Sequence, residues 1–358
     1  MFIKKDSRKV VEILLDDGPG GSGGEGRASL SLGRREPEFG GDTAVLLGGE
    51  GAATRLAATR SLSLYGNRLH SLSGWEALAG GALRSLDLGH NALTSLPASF
   101  GALTGLEALW LEDNALAEFP RPLLRCTALR VLRLSGNALS RLPRGISALA
   151  ALETLAVDNN ALRSLPDELC SLRRLTTLLA RGNRLETLPA ALGDLAALET
   201  LVLSSNELDA LPASIGRLRR LATLLVNSNQ LRSLPAALAR LPALRKLNAA
   251  NNPLEALPAT LLDALGHALP PHVAAAARRV AELRAEGGEA DEEGGEEEDR
   301  DSGDAGGGSG ASAAAPSIDA PPRRVVFSVD ETPLAKRAEQ LVASEDADGR
   351  EGKRARVG

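Results

Sequence analysis

Apolar and polar positions repeat with one period along most of the chain. Apolar residues stand five and three positions before a recurring asparagine, Leu stands two after it, and Leu or Phe stands five after it. From the second copy on, Pro directly follows that last apolar residue. We call each copy a rung and number the rungs 1 to 9. Their asparagines, spaced by 24 residues once and then by 23 residues, are Asn67, Asn91, Asn114, Asn137, Asn160, Asn183, Asn206, Asn229 and Asn252.

The pattern predicts one short strand in each rung. Apolar residues at alternate positions, as in Leu86-Asp87-Leu88, have the period of a strand with one face buried. Stacked rungs would pair these strands into one parallel sheet, with strands roughly 4.8 Å apart. The Leu-Pro half suits an extended or 3₁₀ return path. Because that path is bulkier than the strand spacing, we expect the stack to curve with the sheet on its concave side.

The asparagine itself is explained by the bend that follows each strand. A chain that turns inside a core leaves backbone polar groups without partners. An amide side chain offers two donors and an acceptor, so the asparagines can bond to backbone groups of their own and of neighbouring rungs.

These repeats resemble the leucine-rich-repeat family, and within it the 23-residue intracellular class with Leu-Pro at mid-repeat. The resemblance covers residues 59–262 and implies an α/β solenoid with a parallel concave sheet and nine recognisable repeats. It also implies a non-enzymatic surface for binding proteins. Repeats of this class are similar to those of the Ras-group leucine-rich-repeat proteins, which assemble signalling complexes.

The segments outside the repeats differ in composition. We predict an N-terminal extension and Gly-rich linker at 1–27, and a degenerate N-terminal cap with a strand or two at 28–58. Phe39 would close the end of the core there. A C-terminal capping helix is predicted at 263–285, because apolar residues between 272 and 285 recur at helical spacing. A detached partner-binding helix is the alternative. Residues 286–358 are acidic and rich in Gly, Ser, Ala and Pro, which predicts a disordered tail.

Charge is distributed unevenly along the chain. The formal net charge is -5. Residues 56–265 carry 21 Arg and Lys against 17 Asp and Glu, about +4, whereas residues 286–304 carry 11 acids and one Arg, about -10. Basic residues in the repeats are neither dominant nor interleaved with aromatic residues, which argues against nucleic-acid binding.

The sequence offers little for catalysis, metal binding or a cofactor. Gly18 to Gly24 matches two glycine-rich strings, but it lacks the flanking strand and helix that those motifs require. Cys126 stands where other rungs have a core Leu, and Cys170 is expected on the convex side. The four histidines are scattered. We therefore predict no enzymatic activity, no metal and no cofactor.

No segment resembles a signal peptide or a membrane span, because the apolar run from Val10 to Leu15 is broken by Glu12. This predicts a cytoplasmic protein. The basic cluster Lys353-Arg354-Ala355-Arg356 raises nuclear import as an alternative to a solvated tail.

Strand periodicity also assigns a candidate binding face. Residues six, four, two and one positions before each Asn should point to the concave side, and large or charged ones concentrate in the N-terminal half. Aromatic and Arg side chains are the usual anchors of protein interfaces. Trp75 lies off the strands, so packing against the cap is expected for it. The predicted partner-binding residues are Tyr65, Asp87, His90, Trp110, Glu112, Asp113, Arg133, Asp158 and Arg181. The competing interpretation is that any such repeat must place polar residues there.

A short apolar cluster interrupts the predicted tail. Arg324, Val325 and Phe327 match the docking motif of type-1 protein phosphatase regulators: a basic residue, Val or Ile, any non-Pro residue, then Phe or Trp. By this resemblance the chain would be a regulatory or targeting subunit that adds a strand to the phosphatase catalytic subunit. Two alternatives stand beside it. One is a Ras-group type signalling scaffold without phosphatase binding, and the other is a fold-back of residues 325–329 as an extra strand on the edge of the solenoid.

Overall fold

The computed structural model describes residues 29–33, 41–43, 56, 58–78, 80–265, 278, 326–328, 332 and 333. Within them, parallel strands follow one another in chain order across a single eleven-stranded sheet. The strands are β1 Ser29–Ser31, β2 Ser61–Ser63, β3 Ser85–Asp87, β4 Ala108–Trp110, β5 Val131–Arg133, β6 Thr154–Ala156, β7 Thr177–Leu179, β8 Thr200–Val202, β9 Thr223–Leu225, β10 Lys246–Asn248 and β11 Val326–Ser328. The predicted solenoid with a parallel sheet is confirmed.

Each strand pairs with the next at the same position of the repeat. The central residues of successive strands are partners, as in Leu86 with Leu109 and Leu109 with Leu132. These central leucines are fully buried, whereas the residues on either side of them reach the sheet surface. The core is therefore a seam of leucines that runs the length of the stack.

The return path of each of rungs 1 to 8 is a 3₁₀ turn. The turns are Trp75–Leu78, Ala98–Ala102, Arg121–Arg125, Arg144–Ala148, Asp167–Ser171, Leu192–Asp194, Ala213–Arg217 and Ala236–Arg240. Several begin after a proline in an extended conformation, such as Pro97 with φ -66° and ψ 155°. Proline suits this position because its φ is fixed near that value and it has no N–H to satisfy. The predicted 3₁₀ return path is confirmed.

The asparagines bond from rung to rung as expected. Asn114 Nδ2 donates to the carbonyl of Leu88 in the preceding rung at 3.0 Å and to the carbonyl of Leu111 in its own rung at 3.2 Å. Its Oδ1 accepts the N–H of Leu93 at 3.0 Å. The same arrangement recurs up to Asn252, which bonds to Val226, Ala249 and the N–H of Leu231.

At the N-terminal end, β1 pairs with β2, and Asp42 forms a parallel bridge with Ser71. Trp75 is fully buried and donates its Nε1–H to Thr43 Oγ1 at 2.9 Å. It therefore packs against the cap segment, as its position off the strands indicated. Phe39 and residues 1–27 lie outside the described residues.

At the C-terminal end, helix α1, Ala259–Leu265, covers the last rung with Leu261 and Leu262. The helix predicted from the pattern at 272–285 lies outside the described range, apart from Arg278. β11 then adds to the open edge of β10, with Val326 N–H donating to Arg245 O at 2.7 Å.

β11 changes the interpretation of the tail. Its register places Phe327 beside Leu247, in the column where β2 to β10 have a buried leucine. Residues 326–328 are thus the extra edge strand that was the alternative to an accessible docking peptide, and Thr332 beyond them is buried. This differs from the disorder predicted for these residues. The rest of 286–358, apart from Thr332 and Pro333, lies outside the described residues.

Candidate protein-binding surface

The concave surface is built from the strand residues whose side chains alternate with the core leucines. In each rung the first and third strand residues face this side, and the chain then turns across the rim just before the Asn. The described strands therefore present parallel rows of side chains, one residue from each rung. The composition of these rows changes along the stack.

The N-terminal polar cluster occupies rungs 1 to 4. It comprises seven of the nine predicted partner-binding residues: Tyr65, Asp87, His90, Trp110, Glu112, Asp113 and Arg133. Sheet register puts Trp110 directly between Asp87 of rung 2 and Arg133 of rung 4. Trp110 is half-buried and Arg133 is exposed, so both can contact a partner.

Contacts between residues at or just after the ends of the strands join members of this cluster. The Tyr65 and His90 rings meet edge to face with centroids 4.8 Å apart. His90 Nε2 lies 3.0 Å from Asp113 Oδ2, and Arg133 Nη1 lies 3.3 Å from Glu112 Oε1. These contacts link Tyr65, His90 and Asp113 into one group and Glu112 and Arg133 into another.

Asp87 is fixed by the neighbouring strand β2 and by the backbone that follows its own strand. Its Oδ2 accepts a hydrogen bond from Ser63 Oγ at 3.2 Å, and its Oδ1 accepts the N–H of Gly89 at 2.9 Å. These bonds hold the carboxylate beside Trp110 before any partner arrives. A preset orientation lowers the entropic cost of binding.

The electrostatics of the cluster favour a cationic partner. Burial raises the pKa of Glu112, Arg133 opposes that shift, and the nearby carboxylates of Asp87 and Asp113 add to it. Arg133 acts on Glu112 against burial and two further carboxylates, so an additional positive charge would stabilise the ionised form of Glu112.

The position just before each Asn has a backbone role that the sequence pattern did not reveal. In all nine rungs this residue has a left-handed conformation, with φ of 52° at His90 and Asp113 and 67° at Gly136. Glycine and short polar residues tolerate this region better than others. His90 and Asp113 are therefore selected partly by the turn. The recurrence of Gly, Asn, Asp and Ser at this position was the available signal.

Asp158 and Arg181 stand apart from the cluster. Asp158 Oδ2 accepts from Ser135 Oγ at 3.3 Å, and its Oδ1 accepts the backbone N–H of Arg181 at 2.8 Å. Within the described rungs, neither side chain forms an ion pair or hydrogen bond with the cluster. The structure thus brings seven predicted residues together and leaves these two further along the stack.

The strand residues of the concave face are uncharged from β6 to β9, and the charged residues Asp158 and Arg181 follow strands β6 and β7. A row of threonines at the first strand position lies beside a row of apolar residues at the third position. The two rows are Thr154, Thr177, Thr200 and Thr223, and Ala156, Leu179, Val202 and Leu225. After Arg133 the next charged residue within a strand of this face is therefore Lys246.

Elsewhere, an open groove of about 620 Å³ follows the Leu-Pro side of rungs 3 to 5. Arg121, Arg141 and Arg144 line it together with Glu118, Asp167 and Glu168. Opposite charges alternate along this groove, and Arg144 Nε lies 3.9 Å from Glu168 Oε1. No Ser or Cys nucleophile beside a histidine base lines it, so it has no obvious chemistry.

The two thiols are held in their unreactive form. Cys126 is fully buried, and Cys170 is 4% exposed. Burial raises the pKa of each thiol to about 11. Since the thiolate is the nucleophile and the metal ligand, neither is activated. Cys170 lies in a turn of the convex side as expected, but it is also buried.

Among the described residues, no group of three or more His, Cys, Asp and Glu is arranged to hold a metal ion. A search of the same part of the chain found no helix with the length and apolar character of a membrane span.

This fold and surface define a repeat protein with a concave face for binding, and comparisons with known proteins identify the repeat. The leucine-rich-repeat family model matches residues 57–116, 127–185 and 196–254. The chain is a leucine-rich-repeat protein. No curated protein matches it.

Several solved structures are similar to this chain. A TDR receptor is 27% identical, with a TM-score of 0.52 over 57% of this chain and 36% of that one. An internalin of Listeria monocytogenes is 25% identical, with a TM-score of 0.49 over 57% of this chain and 58% of that one. A leucine-rich-repeat protein of Leptospira interrogans is 26% identical, with a TM-score of 0.42 over 65% of this chain and 69% of that one. The chain thus matches about a third of the receptor and over half of each bacterial protein.

Proposed function

We propose that this protein is a non-enzymatic, cytoplasmic scaffold that binds a protein partner through the N-terminal polar cluster. The observation that carries the proposal is the alignment of Asp87, Trp110 and Arg133 across adjacent strands. An aromatic ring flanked by an acid and a guanidinium is the composition of an interface hot spot. The surplus of carboxylates around Glu112 favours a partner segment that carries basic residues.

The test compares two double variants of the full chain. Trp110→Ala with Arg133→Ala should weaken the main repeat-dependent partner by more than about 2 kcal/mol, because hot-spot truncations have this size. Leu225→Ala with Lys246→Ala changes an apolar and a basic residue at the C-terminal end of the same face, outside the predicted binding residues, and serves as the control. Quantitative affinity capture, followed by titration of the captured partner, measures both.

Thermal unfolding must be nearly unchanged in both variants, since the altered side chains are not in the leucine seam. The proposal fails if the first pair binds like the wild type, or if the control pair weakens binding to the same extent.

A second candidate function is regulation of type-1 protein phosphatase through Arg324, Val325 and Phe327. Its support is the motif, in which Val325 and Phe327 lie two apart and would share one face of an added strand. Against it, residues 326–328 already pair with β10. Docking would therefore require β11 to leave the sheet edge. If it does not, a signalling scaffold of the Ras-group type, without phosphatase, is the remaining interpretation.

Replacing Val325 and Phe327 by Ala tests this second function. If the motif docks the phosphatase, the double variant should no longer co-purify with it, while the matched change Val326→Ala should still do so. Wild-type retention of phosphatase by the double variant would show that the motif is incidental.

A further inference from the structure

One lateral side of the solenoid, where the strands begin, carries a row of exposed arginines in rungs 6 to 9. We call it the basic rim. It comprises Arg173, Arg174, Arg217, Arg219, Arg220 and Arg240. These residues end a 3₁₀ turn or follow it closely, so the stacking of rungs brings them to the same side. Asp194 confirms this proximity, because its carboxylate lies 3.8 Å from Arg173 and 3.4 Å from Arg217.

The charges of this rim are poorly neutralised by the repeats. In earlier rungs the same side is paired: Arg84 lies 3.7 Å from Glu107, and Arg130 lies 2.9 Å from Glu153. Within the described residues, by contrast, no carboxylate lies within ion-pair distance of Arg174, Arg219, Arg220 or Arg240. The other lateral side of the same rungs carries exposed acids, namely Glu186, Glu207, Asp209 and Glu255. The rim side also carries Asp194 and Glu199, and the other side also carries Arg184 and Arg232. In these rungs the rim side therefore keeps a net positive charge and the other side a net negative one.

The complementary charge is present in the same chain. Residues 286–304 hold 11 acids and one Arg. The chain leaves the described array at Leu265, the end of α1, and re-enters it at Val326, beside β10. The segment between these points therefore starts and ends at the C-terminal end of the stack, next to the basic rim.

Chain length permits the contact. The rim spans rungs 6 to 9, on the order of 15 Å at the usual strand spacing. About twenty residues separate each end of the acidic segment from its anchor, and such a length reaches tens of ångströms. Attachment at both ends also gives the segment a high local concentration at the rim.

We infer that the basic rim is the docking surface for the chain's own acidic segment, residues 286–304. The segment would be held by many ion pairs between exposed charges and not by a pocket of matching shape. Its binding should therefore depend strongly on salt concentration. When residues 286–304 occupy the basic rim, they exclude other polyanions from it. The concave N-terminal polar cluster stays free.

Energy transfer between dyes on the full chain tests this inference. One dye is attached at Ser302→Cys. The other is attached at Ala196→Cys, which is exposed on the rim side of rung 7, or at Ala210→Cys, which is exposed on the opposite side. The buried native thiols, with pKa about 11, should not react under native conditions.

We expect higher transfer to position 196 than to position 210 at low salt. In 1 M NaCl the screening length falls to about 3 Å, and the difference should disappear. The triple reversal R174E/R219E/R220E should remove the difference at low salt. The matched reversal R163E/R184E/R232E, which alters three exposed arginines on the opposite side, should retain it.

Equal transfer to the two positions at low salt would overturn the inference, as would equal losses in the two triple variants. A nucleic-acid role is distinguished by a 20-base-pair DNA duplex. If the duplex removes the difference at concentrations where a synthetic peptide of residues 286–304 does not, the rim is a nucleic-acid site and the inference is wrong. Should the reversal variant misfold, the milder R174Q/R219Q/R220Q replaces it, and retention of the full difference in that variant would likewise contradict docking.

Discussion

Asn160 shows why one residue of each rung is so constrained. Its Nδ2 donates to Leu134 O at 3.0 Å and to Val157 O at 3.1 Å, while its Oδ1 accepts from Leu139 N at 2.9 Å. The amide thus satisfies backbone groups of two rungs at once. A leucine side chain has the same number and branching of heavy atoms as an asparagine but offers none of these partners.

Asn160→Leu should lower the free energy of unfolding by about 1–3 kcal/mol, the cost of leaving buried polar groups unsatisfied. Denaturant titration measures it. Gln230→Leu, a polar-to-apolar change at an exposed position, should be nearly neutral. An Asn160→Leu variant as stable as that control would show that the ladder is not needed for stability.

The residue just before each asparagine is constrained by its left-handed backbone conformation instead. Ser205 has φ of 57° where rungs 4 and 6 have glycine. A residue with a side chain is destabilised by roughly 1–2 kcal/mol in this region. Glycine avoids that steric cost but loses more conformational entropy on folding.

Ser205→Gly should therefore raise the free energy of unfolding, by up to about 1 kcal/mol. Ser171→Gly, in the 3₁₀ turn Asp167–Ser171, should lower it or leave it unchanged, because that serine has no such strain to relieve. Thermal or denaturant unfolding of the two variants measures the difference. Equal destabilisation by both changes would contradict the strain argument.

At the scale of elements, the edge strand β11 has a distinct role. Strands β3 to β9 each have a neighbouring rung on both sides, but the outer edge of β10 would be open without residues 326–328. An open edge exposes unpaired backbone groups and invites other strands. β11 and α1 together close the last rung.

Truncation after Pro322 removes β11 and should loosen the end of the stack. We expect faster amide hydrogen exchange in rungs 8 and 9, because terminal rungs have fewer neighbours, and little change in rungs 2 to 4. Deletion of residues 335–358, which leaves β11 and Thr332 in place, is the control. Unchanged protection of rung 9 after the longer truncation would mean that β11 does not hold this edge.

At the scale of the whole molecule, contacts are made almost entirely between neighbouring rungs. Such an array gains stability rung by rung and need not unfold as one unit. Both tryptophans, Trp75 and Trp110, lie near the N-terminal end, whereas the circular dichroism signal averages the whole stack.

Because both tryptophans lie near the N-terminal end, the order in which the two ends unfold can be measured. In the chain truncated after Pro322, the fluorescence midpoint should lie at higher denaturant than the circular dichroism midpoint, because the uncovered C-terminal rungs unfold first. In the full chain the two midpoints should lie closer together. Coincident midpoints in both chains would indicate that the array unfolds cooperatively whether or not its edge is covered.

Surface chemistry is also segregated along the stack. Carboxylates, Trp110 and Arg133 occupy the N-terminal half of the concave face, and threonines and apolar residues follow them from β6 to β9. The basic rim lies on a different side, in rungs 6 to 9. A partner at the N-terminal polar cluster and an acidic segment at the rim would therefore not compete for the same residues.

The sequence by itself determined the repeated parts of this protein. Each rung contacts the next at a fixed offset of 23 residues, so the periodic pattern already specifies strand positions, register, the leucine seam and the bonding of the asparagines. For the same reason it placed Asp87, Trp110 and Arg133 on one face and in adjacent rungs. A repeat period in the sequence predicts tertiary contacts wherever those contacts recur with the same period.

Features that break the period were decided by the tertiary structure. β11 joins Lys246 to Val326 across 80 residues with no repeat between them, so the tail sequence alone allowed both docking and fold-back. The separation of Asp158 from the cluster depends on which neighbour each carboxylate reaches. So does the contrast between Arg130, which pairs with Glu153, and Arg219, which has no carboxylate partner among the described residues. These outcomes follow from distances between side chains of different rungs, which residue spacing along the chain does not specify.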